Sequence, residues 1–105
     1  MSFPAQGDVM WAESPNEKRR PVLIVTRDAA IPVLTSVLVA PVTRTVRGIP
    51  TEIPLGVAEG LPEECAATFD NLRPIRKSFL VERAGALAVA RRSEICAAFG
   101  ALADC

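Results

Sequence analysis

The 105-residue chain contains no histidine and no tyrosine, and its twelve Lys and Arg residues are balanced by twelve Asp and Glu residues. The lack of histidine excludes Ser-His-Asp triads, Cys-His dyads, histidine-ligated metals and RNA cleavage by a histidine pair. Acid–base chemistry would have to use carboxylates, arginine, lysine or hydroxyl groups. A chain of this length has room for one modest hydrophobic core, so we predict a single domain over residues 1–105.

Long apolar runs and paired cysteine motifs are missing as well. The N-terminus has no basic start followed by an apolar run, so we predict no secretory signal. The longest uncharged apolar stretch, residues 29–43, is shorter than the roughly 18–20 residues of a membrane-spanning helix. The three cysteines, Cys65, Cys96 and Cys105, have no CxxC spacing and are too few for a zinc site. We therefore expect free thiols in a reducing cytoplasm, no membrane association, and no bound metal or cofactor.

The zero net charge hides a segregation of charges along the chain. Residues 16–50 sum to +4 and residues 71–92 to +5, whereas residues 51–70 contain five acidic and no basic residues and sum to −5. Ordinary solvated loops are the more common cause of such blocks. The functional alternative is that the two basic blocks meet in space and hold a polyanion, with the acidic block lying elsewhere.

Short strands separated by proline and glycine dominate the predicted fold. Apolar patterning predicts strands at residues 9–12, 21–26, 33–43, 51–55, 65–69 and 81–87. The continuous apolar run at 21–26 is typical of a strand buried on both faces, and Pro41 indicates an edge or a bulge. Ile95, Phe99 and Leu102 recur at helical spacing and predict a helix over residues 91–103. These elements favour a mainly β, α+β fold, a small curled sheet or barrel followed by a C-terminal helix.

Two polar residues stand at the ends of the apolar strands. Arg20 directly precedes the strand at 21–26, and Thr43 ends the next one. If these strands are antiparallel neighbours, the start of one lies beside the end of the other. A guanidinium fork and a hydroxyl on one rim of a sheet are suited to gripping a phosphate. A purely structural role is the more common alternative at such positions.

Three segments carry a family resemblance: GDVMWAE at 7–13, RRPVLIVTRD at 19–28 and VLVAPVTRTVRGIPTEIPL at 37–55. In this order and spacing they resemble the MazF/PemK family of toxins, the endoribonuclease components of bacterial toxin–antitoxin pairs. A weaker fourth segment, FDNLRPI at 69–75, falls where family members have a short strand. The resemblance implies an SH3-like β-barrel with a C-terminal helix that works as a homodimer. It also implies a cognate MazE-like antitoxin whose acidic tail covers the RNA groove.

The activity implied by this resemblance is sequence-specific, metal-independent cleavage of single-stranded RNA, which inhibits translation and growth. The resemblance leaves the RNA class open among messenger, transfer and ribosomal RNA, and it implies products that end in a 2′,3′-cyclic phosphate and a 5′-hydroxyl. The family's catalytic arginine falls on Arg20 and its catalytic threonine on Thr43. Because the 2′-oxygen of the RNA attacks the neighbouring phosphorus, the protein has to stabilise negative charge and help protons move.

The residues that match the family do not identify which carboxylate accepts the proton of the 2′-hydroxyl. Many relatives have a longer loop before the arginine with a glutamate suggested as the base, whereas this chain has a shorter loop at 14–19. Glu17 is the nearest carboxylate there, and we predict it as the third catalytic residue. Glu13 is an alternative, and a surface ion pair of Glu17 with a neighbouring Lys or Arg is another.

Basic and aromatic residues near these positions are predicted to contact RNA. The arginines after Thr43 suit the phosphate backbone, the later basic residues suit the same groove or its far side across a dimer, and the tryptophan suits base stacking or the core. The predicted contacts are Arg19, Arg44, Arg47, Arg73, Arg76, Lys77 and Trp11. A non-catalytic SH3-like module that binds RNA or peptide, and a gyrase-inhibiting toxin on the same barrel, are the alternatives to a nuclease.

Overall fold

The computed structural model describes residues 4–103, so Cys105, one of the three predicted free thiols, lies outside the described residues. This part of the chain consists of β-strands, short 3₁₀ turns and one α-helix. The regular elements are β1 Asp8–Ala12, β2 Arg20–Ile24, β3 Ser36–Thr43, β4 Glu52–Leu55, β5 Cys65–Thr68, β6 Arg73–Arg76, β7 Leu80–Ala86 and α1 Ser93–Leu102. The prediction of a mainly β fold with a C-terminal helix is confirmed. Strand β6 was not predicted from apolar patterning, because a four-residue Arg-Pro-Ile-Arg segment has only one buried position.

The strands form one antiparallel sheet in the order β4-β5-β3-β2-β1-β7, and β6 pairs with β3 beside this path. Strand β3 changes partners along its length: residues 36–39 pair with β6, and residues 42–43 pair with β5. The sheet therefore curls into a half-barrel around β3. Pro41 lies at this change of partners and opposite Val22 of β2. The prediction of an edge or a bulge at Pro41 is therefore wrong for the strand as a whole, since β3 is an interior strand.

The prediction that the second strand is buried on both faces is confirmed. Leu23 belongs to the cluster inside the half-barrel, and Ile24 belongs to a second cluster on the opposite face. Helix α1 closes the inner cluster through Ile95, which is buried, and through Phe99, whose ring meets that of Phe69 edge-on at 5.3 Å. Leu102, predicted for the same apolar face, is 41% exposed because it lies in the last turn of the helix, beyond the sheet.

Two further expectations concern the cysteines and the membrane. Within the described residues, Cys65 is a buried free thiol and Cys96 is an exposed one on α1. No helix in residues 4–103 is long and apolar enough to cross a membrane.

Candidate active site

The start of β2 and the end of β3 meet at one rim of the half-barrel. The prediction that these strands are antiparallel neighbours is confirmed, with Val22 opposite Pro41. Continued by two residues, the same register sets Arg20 opposite Thr43. Side chains alternate between the faces of a strand, so the rim opens into a cleft on each side of the sheet. We call the four residues at this edge, Arg19, Arg20, Thr43 and Arg44, the rim.

The arginine cleft, on one side of the rim, is narrow and lined by charged groups. Its volume is about 10 Å³, room for roughly one water molecule. Arg20 is exposed there, and its guanidinium has no hydrogen-bond or ion-pair partner among residues 4–103. Lys18 and Arg73 add two more cations, so the cleft attracts anions. It is lined by Ala12, Ser14, Glu17, Lys18, Arg20, Val22, Pro41, Arg73 and Ile75.

The only carboxylate in this lining belongs to Glu17. The loop before β2 folds back as a turn in which the Glu17 N–H donates to the Ser14 carbonyl at 3.1 Å. The side chain is thereby directed across the cleft, where Arg73 Nη2 donates to both carboxylate oxygens at 3.0 and 3.2 Å. Glu17 thus forms an ion pair, as one alternative expected, but with a residue 56 positions away rather than with a neighbour in its own loop.

The tryptophan cleft, on the other side of the rim, is wider. It encloses about 190 Å³ and is lined by Trp11, Arg19, Pro21, Val42, Thr43, Arg44, Leu61, Pro62, Glu63 and Cys65. Arg19 lies over the Trp11 ring with 5.2 Å between its guanidinium carbon and the ring centroid, and it is also paired with Glu82. The indole is half-buried and packs against the inner core. The ring therefore packs on the core, as one alternative expected, and also forms part of the cleft wall, while base stacking stays a prediction.

The Thr43 hydroxyl and the Cys65 thiol, which both line this cleft, differ in chemical reactivity. The hydroxyl oxygen of Thr43 accepts the Thr45 N–H at 3.1 Å, which leaves the hydroxyl proton free to be donated. The Cys65 thiol donates to the Leu55 carbonyl at 3.7 Å, and burial, followed by the nearby Glu59 and Glu63 charges, raises its pKa. Cys65 is therefore a neutral thiol at neutral pH and not a nucleophile.

The two basic blocks do meet at the rim, because Lys18 and Arg20 from the first and Arg73 from the second line one cleft. The expected separation of the acidic block is wrong, however. Three of its five carboxylates pair with arginines of the basic blocks, namely Glu52 with Arg47, Glu59 with Arg91 and Glu63 with Arg44. The cause is topological, because β4 and the segments beside it run next to the basic loop and the helix.

The predicted RNA contacts fall into two groups in space. Five of them lie at the rim or in its clefts or follow it directly: Trp11, Arg19, Arg44, Arg47 and Arg73. Arg76 pairs with Ser36, at the far end of β3 from Thr43 and roughly 24 Å away at the usual rise of a strand. Lys77 follows Arg76 and donates to the Ile31 carbonyl at 2.8 Å. The structure thus does not bring these two residues to the rim within one copy of the chain.

Three carboxylates at the rim and its loop were not identified from the sequence. Glu82 and Glu63 hold Arg19 and Arg44, and Glu52 accepts backbone N–H groups of the loop that follows Thr43. Glu82 lies 63 positions from Arg19, so no local signal pointed to it. Glu52 did carry a signal, since it stands at the end of the Pro-Thr-Glu pattern quoted above. Among residues 4–103 no three Cys, Asp or Glu side chains converge as a metal site.

Comparisons with known proteins agree with this geometry. The chain is 40% identical over 105 residues, 99% of this chain and 96% of the relative, to a Mycobacterium tuberculosis protein named "Probable endoribonuclease MazF5". It is 39% identical over 84 residues, 80% of this chain and 82% of the relative, to "Endoribonuclease MazF3" of the same species.

Solved structures give the same assignment. The structure of "Mycobacterium tuberculosis toxin MazF-mt6" superposes with a TM-score of 0.83 and 36% identity, covering 92% of this chain and 96% of that one. A mycobacterial "Endoribonuclease in complex with its cognate antitoxin" superposes with a TM-score of 0.81 and 25% identity, covering 94% and 93%. A family described as "PemK-like, MazF-like toxin of type II toxin-antitoxin system" matches residues 5–102. The chain therefore belongs to this family of toxins.

Proposed function

We propose that this protein is the toxin of a type II toxin–antitoxin system, a sequence-specific and metal-independent endoribonuclease that acts on single-stranded RNA in the cytoplasm. Cleavage leaves a 2′,3′-cyclic phosphate and a 5′-hydroxyl, and the loss of messenger, transfer or ribosomal RNA stops translation and growth. The relatives named as endoribonucleases support this function. The observation that carries it is the unpartnered Arg20 guanidinium at the start of β2, the strand that pairs with the end of β3 that carries Thr43.

The contacts around Arg20 suit the stabilisation of a phosphoryl transition state. Extra negative charge develops on the non-bridging oxygens when the 2′-oxygen attacks, and preorganised donors stabilise it most strongly. The guanidinium keeps its charge at physiological pH and offers a planar pair of donors. Because Arg20 has no carboxylate to leave, it engages the phosphate without first breaking an ion pair. Thr43 lines the cleft on the other side of the rim, so a phosphate lying across the rim would meet Arg20 from one side and the free hydroxyl proton of Thr43 from the other.

The bond changes need no protein nucleophile and no metal. The 2′-oxygen forms a bond to phosphorus and loses its proton to a base, while the bond from phosphorus to the 5′-oxygen breaks. The leaving 5′-oxygen takes up a proton and becomes the free hydroxyl. Arg20 stabilises the charge in this step, with leaving-group protonation as its secondary role.

Glu17 is the carboxylate that we assign as the base, because it is the acidic group of the arginine cleft. In the free protein its carboxylate is held in an ion pair by Arg73, whose Nη2 lies 3.0 Å from Oε2. An RNA phosphate that attracts Arg73 would loosen this pair and make the carboxylate available. We therefore propose that RNA binding and activation of the base are coupled through Arg73.

The remaining contacts form a path for a single strand. Arg44 and Arg47 follow Thr43 on an exposed loop and suit successive phosphates, and the Trp11 ring in the wider cleft suits a stacked base. Arg76 and Lys77 lie too far along β3 to join this path within one copy, which favours their action across a homodimer. The antitoxin complex of a mycobacterial relative supports a MazE-like antitoxin as the second partner.

The direct test incubates the purified full-length chain with a long single-stranded RNA of mixed sequence in the presence of a chelator. We expect discrete fragments whose 3′ ends are cyclic phosphates and whose 5′ ends are hydroxyls, and Arg20→Ala should give none. Intact RNA with wild-type protein would overturn the proposal. A retarded but uncut RNA would favour a binding module. Toxicity on expression in cells, with intact RNA and cleaved DNA, would favour a gyrase-directed toxin.

A further inference from the structure

Glu52, the first residue of β4, is a buried carboxylate whose surroundings the proposed mechanism does not explain. Its side chain is 2% exposed. One oxygen, Oε1, accepts the N–H of Arg47 at 2.9 Å and that of Gly48 at 3.1 Å. The other, Oε2, has no hydrogen-bond partner, and the nearest cation is Arg47 Nη1 at 3.9 Å. Glu52 therefore holds the backbone of a loop with one oxygen and faces the side chain of that loop with the other.

The loop held in this way spans residues 44–50 and has little else to fix it. All seven residues are exposed, so hydrophobic packing does not determine their conformation. Gly48 has a φ of +67°, in the left-handed region, although an added Cβ would meet nothing within 4 Å. The glycine is thus needed for the backbone conformation and not for space. Two successive N–H groups that converge on one oxygen form an anion-binding concavity, and here Glu52 fills it.

A second buried glutamate of the same chain provides the contrast. Glu59 also caps a loop, since its Oε1 accepts the Gly56 N–H at 2.7 Å. Its other oxygen, however, receives Arg91 Nη1 at 3.3 Å, and Arg91 is itself tied to the Pro54 carbonyl at 2.8 Å. Glu59 therefore links its loop to the base of the helix, and both oxygens have partners.

The unpartnered oxygen of Glu52 has no such structural use. Oε2 is buried without a hydrogen-bond partner and lies 3.9 Å from its cation, so the two N–H bonds to Oε1 come with a cost to stability. Groups that cost stability are typical of functional sites, where the activity depends on them. The cation that Oε2 faces belongs to Arg47, which is 60% exposed and so keeps donors free for a ligand.

We propose that Glu52 is a positioning residue for RNA recognition: it fixes the loop at 44–50 so that Arg44 and Arg47 meet the RNA strand beside Thr43. This inference rests on the proposed nuclease function. Because the loop contacts nucleotides next to the scissile phosphate and not the reacting atoms, Glu52 governs RNA affinity and the choice of cleavage sequence. The chemical step itself depends on Arg20 and Thr43.

The test compares Glu52→Ala with Glu59→Gln, a substitution in the other buried glutamate. For Glu52→Ala we expect KM for RNA to rise about tenfold or more while kcat stays within about threefold, with a broader set of cleavage sequences. For Glu59→Gln we expect a lower melting temperature with unchanged KM and unchanged cleavage sequences. Wild-type KM and cleavage sequences in folded Glu52→Ala would overturn the inference.

Gly48→Ala provides a second variant that leaves the core untouched. It strains the same loop at an exposed position, so we expect a melting temperature lower by only about a few degrees and a rise in KM in the same direction as for Glu52→Ala. If Glu52→Ala does not fold, Gly48→Ala tests the inference in its place. A wild-type KM for Gly48→Ala would then overturn the inference.

RNA affinity in an Arg20→Ala background separates this inference from the proposed function. Wild-type protein that binds RNA without cutting it would refute the nuclease alone. The positioning role would then stand if Glu52→Ala in that background lowers the affinity, and would fall if the affinity is unchanged. Wild-type protein that neither binds nor cuts RNA would refute both.

Discussion

The rim and the helix base use arginine in opposite ways. At the helix base, Arg91 contacts Glu94 at 2.8 and 2.9 Å, Glu59 at 3.3 Å and the Pro54 carbonyl at 2.8 Å. At the rim, the Arg20 side chain has no hydrogen-bond or ion-pair partner among the described residues. Both lie in basic blocks of the sequence, and neither residue type nor charge pattern distinguishes them. The comparison teaches that the Arg91 guanidinium is taken up in holding the fold together, whereas the Arg20 guanidinium has no such partner in residues 4–103 and is available to a ligand anion.

The variant with the largest expected effect removes Arg20, whose side chain has no hydrogen-bond or ion-pair partner in the described part of the chain. We expect Arg20→Ala to lower the rate of RNA cleavage by about 10²–10³-fold, since it removes the fixed charge that stabilises the transition state. The melting temperature should not change, because the side chain is exposed and has no partner. Single-turnover cleavage and thermal unfolding measure the two effects.

Arg27→Ala is the control for this experiment, since the Arg27 side chain is also exposed and has no hydrogen-bond or ion-pair partner in residues 4–103, but follows the opposite end of β2. Its cleavage rate should fall much less than that of Arg20→Ala. Equal losses in the two variants would mean that exposed positive charge in general, and not the position of Arg20, supports cleavage.

The reverse experiment removes the satisfied arginine. We expect Arg91→Ala to lower the free energy of unfolding by about 2–3 kcal/mol, because it leaves Glu59 buried without its cation. Cleavage per folded molecule should be unchanged. Denaturant titration supplies the free energy, and Arg83→Ala is the control because that arginine is 60% exposed in its pair with Asp8 and should cost less than about 1 kcal/mol. Similar losses for the two variants would contradict the distinction.

A third experiment sharpens the description of the rim itself. We expect Thr43→Val to lower cleavage by about 10- to 100-fold, because the hydroxyl proton that meets the phosphate is lost while the volume is kept. The exposed Thr45→Val serves as control, since Thr45 takes part in the rim through its backbone N–H. A wild-type rate for Thr43→Val would remove Thr43 from the catalytic assignment.

The smallest effect concerns pH at the helix base. The hydrogen bonds from Arg91 lower the pKa of the Glu94 carboxyl, so this pair stabilises the fold above the ordinary glutamate pKa of about 4.3. The contribution should disappear as the pH falls below that value through the lowered pKa. Since the carboxylate is partly exposed, we expect less than about 1 kcal/mol. The stability difference between wild type and Glu94→Gln should shrink toward zero between pH 5 and about pH 3, and a pH-independent difference would refute the account.

Most of the strands and the helix could be predicted because their signals are local. The apolar run of β2 indicated burial on both faces, and the spacing of Ile95 and Phe99 indicated the face of α1 that packs on the sheet. The place of Pro41 in the sheet was predicted wrongly because it depends on two other strands. Strand β6 pairs with β3 before Pro41, and strand β5 pairs with β3 after it. Leu102 was misjudged because periodicity does not tell where the sheet under a helix ends.

The site was predictable in part for the same reason. Arg20 and Thr43 were identified from their places at strand ends and from the family resemblance, and the β2–β3 register brings those ends together. The partner of Glu17 could not be foreseen, since Arg73 lies 56 positions away on β6. Nor could the sequence separate Arg76 and Lys77 from the rim, because that requires the direction in which β6 runs along β3.

The sequence by itself determined which residues form strands and helix, and which residue types are available for chemistry. Backbone preferences and apolar periodicity act over a few residues, so they can be read from the sequence without knowledge of the tertiary structure. Only the tertiary structure decided which charged residues form ion pairs. Glu59 pairs with Arg91, Glu17 with Arg73 and Glu63 with Arg44. Arg20 has no such partner among the described residues. Ion pairing depends on distance in space, and in a curled sheet that distance is set by the order of the strands.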